Sequence, residues 1–315
     1  MSIKNKIFVF VLITLVLSGL FLFYNLPNNW EYALERRGYK VASMIIVSCC
    51  IAYSSVVFQT LTNNKILTPS IMGFEAVYML FQTLIVFIYG DKTFQIINNE
   101  SNFFISIGLM LVFAFFLFVL IFKRGNSNMY FLLLIGLVLG TLFGTVSSFL
   151  QLVIDPNEFL IIESQLFASF NKINTDLFWY ALAFMLLSFG IGFRKIKDLD
   201  LIALGKENAI SLGLDYGKTI KLYLAIISVL VAVSTALVGP MTFLGILVTS
   251  LTYEMFKTYK HSILIPACCL VSCVAVLGGQ FMVEQLFNFN TTISIIINFI
   301  GGIYFMFLLL KAKKA

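Results

Sequence analysis

Apolar residues in this chain neither alternate with polar ones nor keep to one stripe of a helix; they run almost unbroken through long segments separated by short polar stretches. A bilayer core about 30 Å thick is crossed by about 20 apolar residues rising about 1.5 Å each. Ten segments fit that length approximately: Ile7–Tyr24, Val41–Leu61, Ile71–Tyr89, Phe103–Phe122, Tyr130–Val153, Leu177–Phe193, Ile220–Val238, Phe243–Phe256, Ile263–Val283 and Thr292–Leu310. A membrane barrel would alternate apolar and polar positions along strands of about ten residues, so the spans are helices. The eighth is short and follows Gly239-Pro240, a pair that interrupts helical hydrogen bonding. At membrane depth such a break is tolerated only where protein or a water-filled cavity covers it. The expected fold is all-α, a polytopic membrane protein of about ten transmembrane helices forming a single domain over residues 1–315. The longest connection, about Arg194 to Thr219, is too small to bury a core of its own.

Composition supports this solvent. Of 315 residues, 60% are hydrophobic and 11% charged, with a mean hydropathy of +0.98. A soluble domain has about 25% charged residues, and a disordered chain needs low hydrophobicity. The net charge of +6 sets orientation rather than marking nucleic-acid binding. With the N-terminus in the cytoplasm, sixteen of the 21 Lys and Arg lie inside: Lys4, Lys6, Lys65, Lys123, Arg124, six from Arg194 to Lys221, Lys257, Lys260, Lys311, Lys313 and Lys314. Only Arg36, Arg37, Lys40, Lys92 and Lys172 lie outside, a bias that places both termini in the cytoplasm. No small-residue cleavage site follows the first segment, only Phe23-Tyr24-Asn25-Leu26-Pro27, so it is read as a retained span.

Candidate chemistry is sparse. All five Cys, at 49, 50, 268, 269 and 273, fall in predicted spans. Cys269 and Cys273 have the i, i+4 spacing of a metal or redox pair, but no His or acid joins them in sequence, so packing is the preferred reading and no metal site is assigned. His261, beside Lys260, has no catalytic constellation around it and is assigned to the basic rim. Gly217-Lys218-Thr219 resembles the end of a phosphate-binding loop, yet the required earlier Gly is replaced by Leu212. Nucleotide binding is therefore rejected, and any ATP must be handled by another chain. No catalytic residue is assigned.

The segment from Asp198 to Gly213 is more informative. Leu201, Leu204, Ala209 and Leu212 are expected to share an apolar stripe on short helical pieces, with Lys206, Glu207 and Asn208 facing away and Gly205 and Gly213 turning the chain. Two readings stay open on physics alone, a docking surface for a cytoplasmic partner and an interfacial helix on lipid headgroups.

Leu204-Gly205 with Ala209-x-x-Leu212-Gly213 resembles the coupling segment of the iron-siderophore and cobalamin (FecCD-type) class of ABC transporter permeases. Val231-Ala-Val-Ser-Thr-Ala-Leu-Val-Gly-Pro-Met-Thr-Phe-Leu-Gly-Ile-Leu-Val248 resembles that family's span running into Gly-Pro, and Asn64-Lys-Ile-Leu-Thr-Pro-Ser-Ile-Met-Gly73 is similar to its turn after the second span. The resemblance covers essentially the whole chain. It implies a BtuC-like type II importer permease fold. It also implies that the segment about 198–214 seats in a groove of an ABC ATPase subunit through Leu201, Leu204, Gly205, Glu207, Ala209, Leu212 and Gly213. ATP and Mg would be bound on that subunit, with no cofactor on this chain. Further implied partners are a second permease, either a related chain or a copy, an extracellular substrate-binding lipoprotein, and ferric siderophore as cargo. Glu75, Gly239, Pro240, Phe243 and Gly245 would line the translocation path.

Arg36 and Arg37 read as a rim that snorkels to headgroups or, by the resemblance, as partners for acids of the binding protein. Glu75 is a carboxylate within a span, functional by default, yet it also lies near a helix start where the dipole stabilises it; both readings stay open. Glu254 is expected to pair with Lys257 at the rim. Where many members carry Pro-His and then Arg, this chain has Thr249-Ser250 and Glu254; where they carry Gly-x-Ser-Ser-Gly, it has Gly73-Phe74-Glu75-Ala76. Both departures are similar to the subgroup for catecholate siderophores such as petrobactin or anguibactin. The alternative class, an ion-gradient-driven secondary transporter, predicts several intramembrane charges, and only Glu75 lies clearly within a span.

Overall fold

The computed structural model describes residues 2–25, 29–90, 93, 100–122, 129–171, 175–289 and 291–312. Lys92, Lys123, Arg124, Lys172, Lys313 and Lys314, which entered the charge argument, lie outside them. The regular elements among the described residues are all helical: α1 (Ile3–Phe23), α2 (Trp30–Thr62), α3 (Phe74–Tyr89), α4 (Glu100–Phe122), α5 (Met129–Val153), α6 (Pro156–Leu166), α7 (Thr175–Arg194), α8 (Ile196–Ile202), α9 (Lys206–Ser211), α10 (Tyr216–Val238), α11 (Leu244–Phe256), α12 (His261–Gln285) and α13 (Ile293–Ala312), with a 3₁₀ turn at Pro69–Met72. Each of the ten predicted spans corresponds to an apolar helix. Among the described residues seven are long and apolar enough to cross a bilayer, and α3, α11 and the Ile293–Phe307 part of α13 are shorter apolar helices.

The helices sort into an inner set and a peripheral one. In α2, 78% of the most apolar window is buried, against 6% in α1 and 17% in α5. Lipid tails are as apolar as Leu, so the outward faces of α1 and α5 incur no solvent penalty in a membrane. The inner pair α2 and α12 runs antiparallel and in contact, with the Cys269 thiol 3.9 Å from the Cys49 carbonyl, and both helices bury small side chains: Ser43, Cys50, Ala52 and Ser54 on one, Ala267, Cys268 and Ser272 on the other. All five Cys are free thiols, four buried and Cys49 half-buried. Among the described residues no group of three His, Cys, Asp or Glu is placed to hold a metal ion. At the α3–α5 crossing a Cβ added to Gly136 would lie 2.9 Å from Met72 Cα, and one on Gly140 3.0 Å from Gly73 Cα. Glycines four apart therefore let two backbones touch.

Two elements depart from the hydropathy reading. Helix α2 starts at Trp30 rather than near Val41 and has 33 residues. Such a helix is about 50 Å long, more than the apolar slab, and so projects from it. Its first turns carry Glu31, Glu35, Arg36, Arg37 and Lys40, too polar for a hydropathy window but free of helix breakers apart from Gly38. Helix α6 was not expected. Asp155 caps it by accepting the Asn157 N–H at 2.8 Å, Pro156 opens its first turn, and Ile162 packs on Ile85, Val86 and Ile154.

Candidate coupling and translocation sites

One end of the bundle carries α8 and α9. Gly205 (φ +96°) and Gly213 (φ +87°) both occupy conformations that disfavour a side chain. After α9 the Leu214 N–H donates to the Ala209 carbonyl at 3.1 Å and the Gly213 N–H to Ile210 at 2.9 Å, the paired bonds of a Schellman ending. The expected single stripe is corrected. Ala209 is fully buried and Leu201 half-buried, whereas Leu204, Ile210 and Leu212 are exposed. The turn at Gly205 resets helical phase, so positions before and after it cannot be projected onto one wheel. Lys206, Glu207 and Asn208 face solvent as expected. A cavity of about 400 Å³ opens beside these helices, lined by Thr60, Asn63, Tyr130, Gly205, Lys206 and Tyr216. Gly217-Lys218-Thr219 lies in the first turn of α10, where Asp215 accepts the Lys218 N–H at 3.1 Å and pairs with its ammonium at 2.9 Å.

His261 is a second correction. It is buried rather than part of a basic rim, and an acid meets it from elsewhere in the chain. Asp200 Oδ1 of α8 accepts from the His261 backbone N–H at 2.9 Å and lies 2.6 Å from Nδ1, while Nε2 lies 2.8 Å from Thr60 Oγ1.

In the middle of the bundle, Glu75 sits in the first turn of α3. It accepts from the Ser70 hydroxyl at 2.7 Å and the Thr242 hydroxyl at 2.6 Å. A cavity of about 20 Å³, room for about one water, is lined by Glu75, Ser54, Ser55, Gly239, Met241 and Gly245. Three of the five expected path residues, Glu75, Gly239 and Gly245, thus share one polar niche, and Glu75 lies in the first turn of α3, as the helix-start reading has it. Gly239 (φ +104°) ends α10, and the following Pro240 leads to Phe243, which precedes α11 and packs on Phe305 of α13. Thr242 was not anticipated. Its only signal is a hydroxyl just after Gly-Pro. Thr249 is buried and accepts from the Gln59 amide at 2.9 Å, and Glu254 accepts from the Tyr304 hydroxyl at 3.3 Å.

At the opposite end, Arg37 turns inward. Its guanidinium donates to the carbonyls of Leu22 (3.2 Å), Tyr24 (2.7 Å) and Asn25 (3.2 Å), satisfying the C-terminus of α1. Arg36 is exposed. Lys40 pairs with Glu284 of α12 and donates to Asn171. These groups border an open cavity of about 760 Å³, with Tyr32, Tyr39 and Phe289 in its wall.

Ten apolar helices among the described residues, with a glycine-ended break before α11 and two short helices at one end, make the bundle of a multi-pass membrane protein. Residues 7–311 match the FecCD transport family, and the chain belongs to it. It is 51% identical over 312 residues to the petrobactin import system permease protein YclO of Bacillus subtilis, covering 99% of each chain. With the petrobactin import system permease protein FatC of Bacillus anthracis it shares 32% identity over 313 residues, 96% of this chain and 88% of that protein. Among solved structures, a metal-chelate type ABC transporter in an inward-facing conformation superposes with a TM-score of 0.85 over 98% of this chain and 100% of the other, at 23% identity. That likeness establishes the fold.

Proposed function

We propose that the chain is the membrane-spanning permease subunit of an ATP-driven importer that carries a ferric siderophore of the petrobactin class across the cytoplasmic membrane. The similarity to two petrobactin permeases along nearly the whole chain supports the cargo. The observation that carries the mechanism is the α8–α9 pair: an internally anchored unit, held by buried Leu199, Ile202 and Ala209, that presents Leu204, Ile210 and Leu212 outward. Exposed apolar side chains rimmed by Lys206 and Glu207 form a seat for a partner ATPase, which binds ATP and Mg²⁺. The end bearing this seat, and both termini, face the cytoplasm; the Arg36 end faces a substrate-binding lipoprotein. The pathway forms against a second permease. ATP-driven closure of the ATPase subunits reorients the spans around it, alternating access between the two faces, and this chain performs no bond chemistry.

The test is reconstitution with the cognate ATPase and binding protein, comparing wild type with Leu204→Asp. Loss of ATPase capture with normal yield of permease is expected, because Leu204 is exposed and its replacement disturbs no core. ATPase capture equal to wild type sinks the assignment of the seat. Ala209→Asp is not an equivalent probe, since it buries a charge.

A further inference from the structure

Asp200, His261 and Thr60 connect three elements across long stretches of sequence. Asp200 belongs to α8, His261 is the first residue of α12, and Thr60 lies in the last turn of α2. Lys260, at the cap position of α12, makes no side-chain capping bond. Asp200 supplies that function from another helix by accepting the His261 backbone N–H at 2.9 Å, where an anion also meets the positive end of the α12 dipole. The same oxygen faces Nδ1 at 2.6 Å. A carboxylate only accepts, so Nδ1 carries a proton. On the far side of the ring, Thr60 Oγ1 lies 2.9 Å from the Val56 carbonyl, which also only accepts. The Thr60 hydroxyl therefore sits between that carbonyl and Nε2, which it meets at 2.8 Å. The ring is thus held on both sides, by a carboxylate on α8 and a hydroxyl on α2.

We propose that this triad is the joint through which movement of the short helices enters the transmembrane core, with His261 and Thr60 acting as positioning residues for coupling. The burial pattern makes the assignment directional. Leu204, Ile210 and Leu212 on the α8–α9 unit are free to engage a partner, while Asp200 holds the inward side of α8 to the ends of the inner helices α2 and α12. Apolar contacts between helices slide at little cost. A buried ring with a fixed bond on each face resists sliding, so a shift of α8 pulls on α12 and α2 together. The triad also lies at the end of α2, whose Ile51, Ser54 and Ser55 line the Glu75 niche, which gives the motion a path to that niche.

The inference rests on α8–α9 being the ATPase seat, and the experiment separates the two ideas. The complete importer, with its ATPase, second permease and binding protein, is reconstituted in proteoliposomes; capture of the ATPase, ATP hydrolysis and uptake of ferric petrobactin are measured for wild type, His261→Asn, Thr60→Val, Thr60→Ser and Leu204→Asp. Leu204→Asp should lose ATPase capture. His261→Asn and Thr60→Val should keep capture and hydrolysis but import about tenfold less ferric petrobactin per ATP, the size of a typical coupling energy. Thr60→Ser, which restores the hydroxyl, should return to wild type. Thr60→Val preserves side-chain shape and reads the joint even where the His261 variant lowers the yield of complex. Unchanged uptake per ATP in Thr60→Val overturns the joint, and loss of capture in that variant overturns it too by moving the triad into the docking face. Capture retained by Leu204→Asp overturns the seat and, with it, the joint's input.

Discussion

Helices α2 and α12 are fastened to each other by polar groups at two places far apart along them, and the two fastenings are built differently. At the α8 end, His261 is closed in on both sides by Asp200 and Thr60. At the opposite end, Lys40 of α2 meets Glu284 of α12 at the wall of an open cavity, with Gln280 also donating to Glu284 at 2.8 Å. The closed fastening recruits a third helix that is not itself a span; the open one joins the two spans directly and borders a volume that a partner or water can fill. Polar contacts between the same two helices thus serve connection in one place and shape in the other.

The difference predicts a dissociation. Lys40 and Glu284 side chains are 15% and 14% exposed, so removing one leaves a nearly buried charge unpaired. Lys40→Met should cost about 3 kcal/mol of stability, and Lys40→Met with Glu284→Gln should regain most of it, since losing both charges removes the orphan. Asp200 is 34% exposed, so Asp200→Asn should cost only about 1 kcal/mol after solvent screening. Thermal unfolding in detergent measures both. Equal losses at the two ends, or a Lys40 variant that keeps stability, would erase the distinction.

The two arginines at the open end sharpen it further. Arg37→Ala removes the donors that satisfy the end of α1 and should lower stability by about 1 kcal/mol, with α1 fraying first in hydrogen exchange. Arg36→Glu should leave unfolding unchanged and, on the proposed function, weaken capture of the binding protein more at low salt than at high salt. A salt-independent effect, or none, would remove Arg36 from the docking surface.

What the sequence showed and hid follows the same division. Spans were legible because hydropathy is a local sum, and Gly205, Gly213 and Gly239 announced turns that their positive φ angles require. Helix α6 and the projecting start of α2 escaped because both are polar enough to look like loops, while only their tertiary contacts show that they are ordered helices. The stripe through Leu204 and Ala209 failed because a wheel cannot be carried across a glycine turn. His261 was set aside for want of a nearby acid, yet its acid stands 61 positions away, and Glu75 finds Thr242 at a separation of 167. Pairings of that kind are set by which helices touch, and no local pattern encodes them.

The smallest effect is expected where a charge at the α8 end does local work only. Asp215 caps α10, and its hydrogen bonds with the Lys218 side chain and backbone hold the carboxyl below the usual carboxylate range, while Lys218 is raised in turn. For a depressed acid, the stabilisation is present above the unfolded carboxylate value and is lost as pH falls through the folded one. Asn also caps well, so Asp215→Asn removes the charge and keeps the cap. Because the pair is fully exposed, the variant should unfold only marginally earlier at neutral pH, and the gap should close once acid has protonated Asp215 in the wild type. Added salt should narrow the same gap at neutral pH. A gap that persists in acid would mean that Asp215 acts through packing rather than charge.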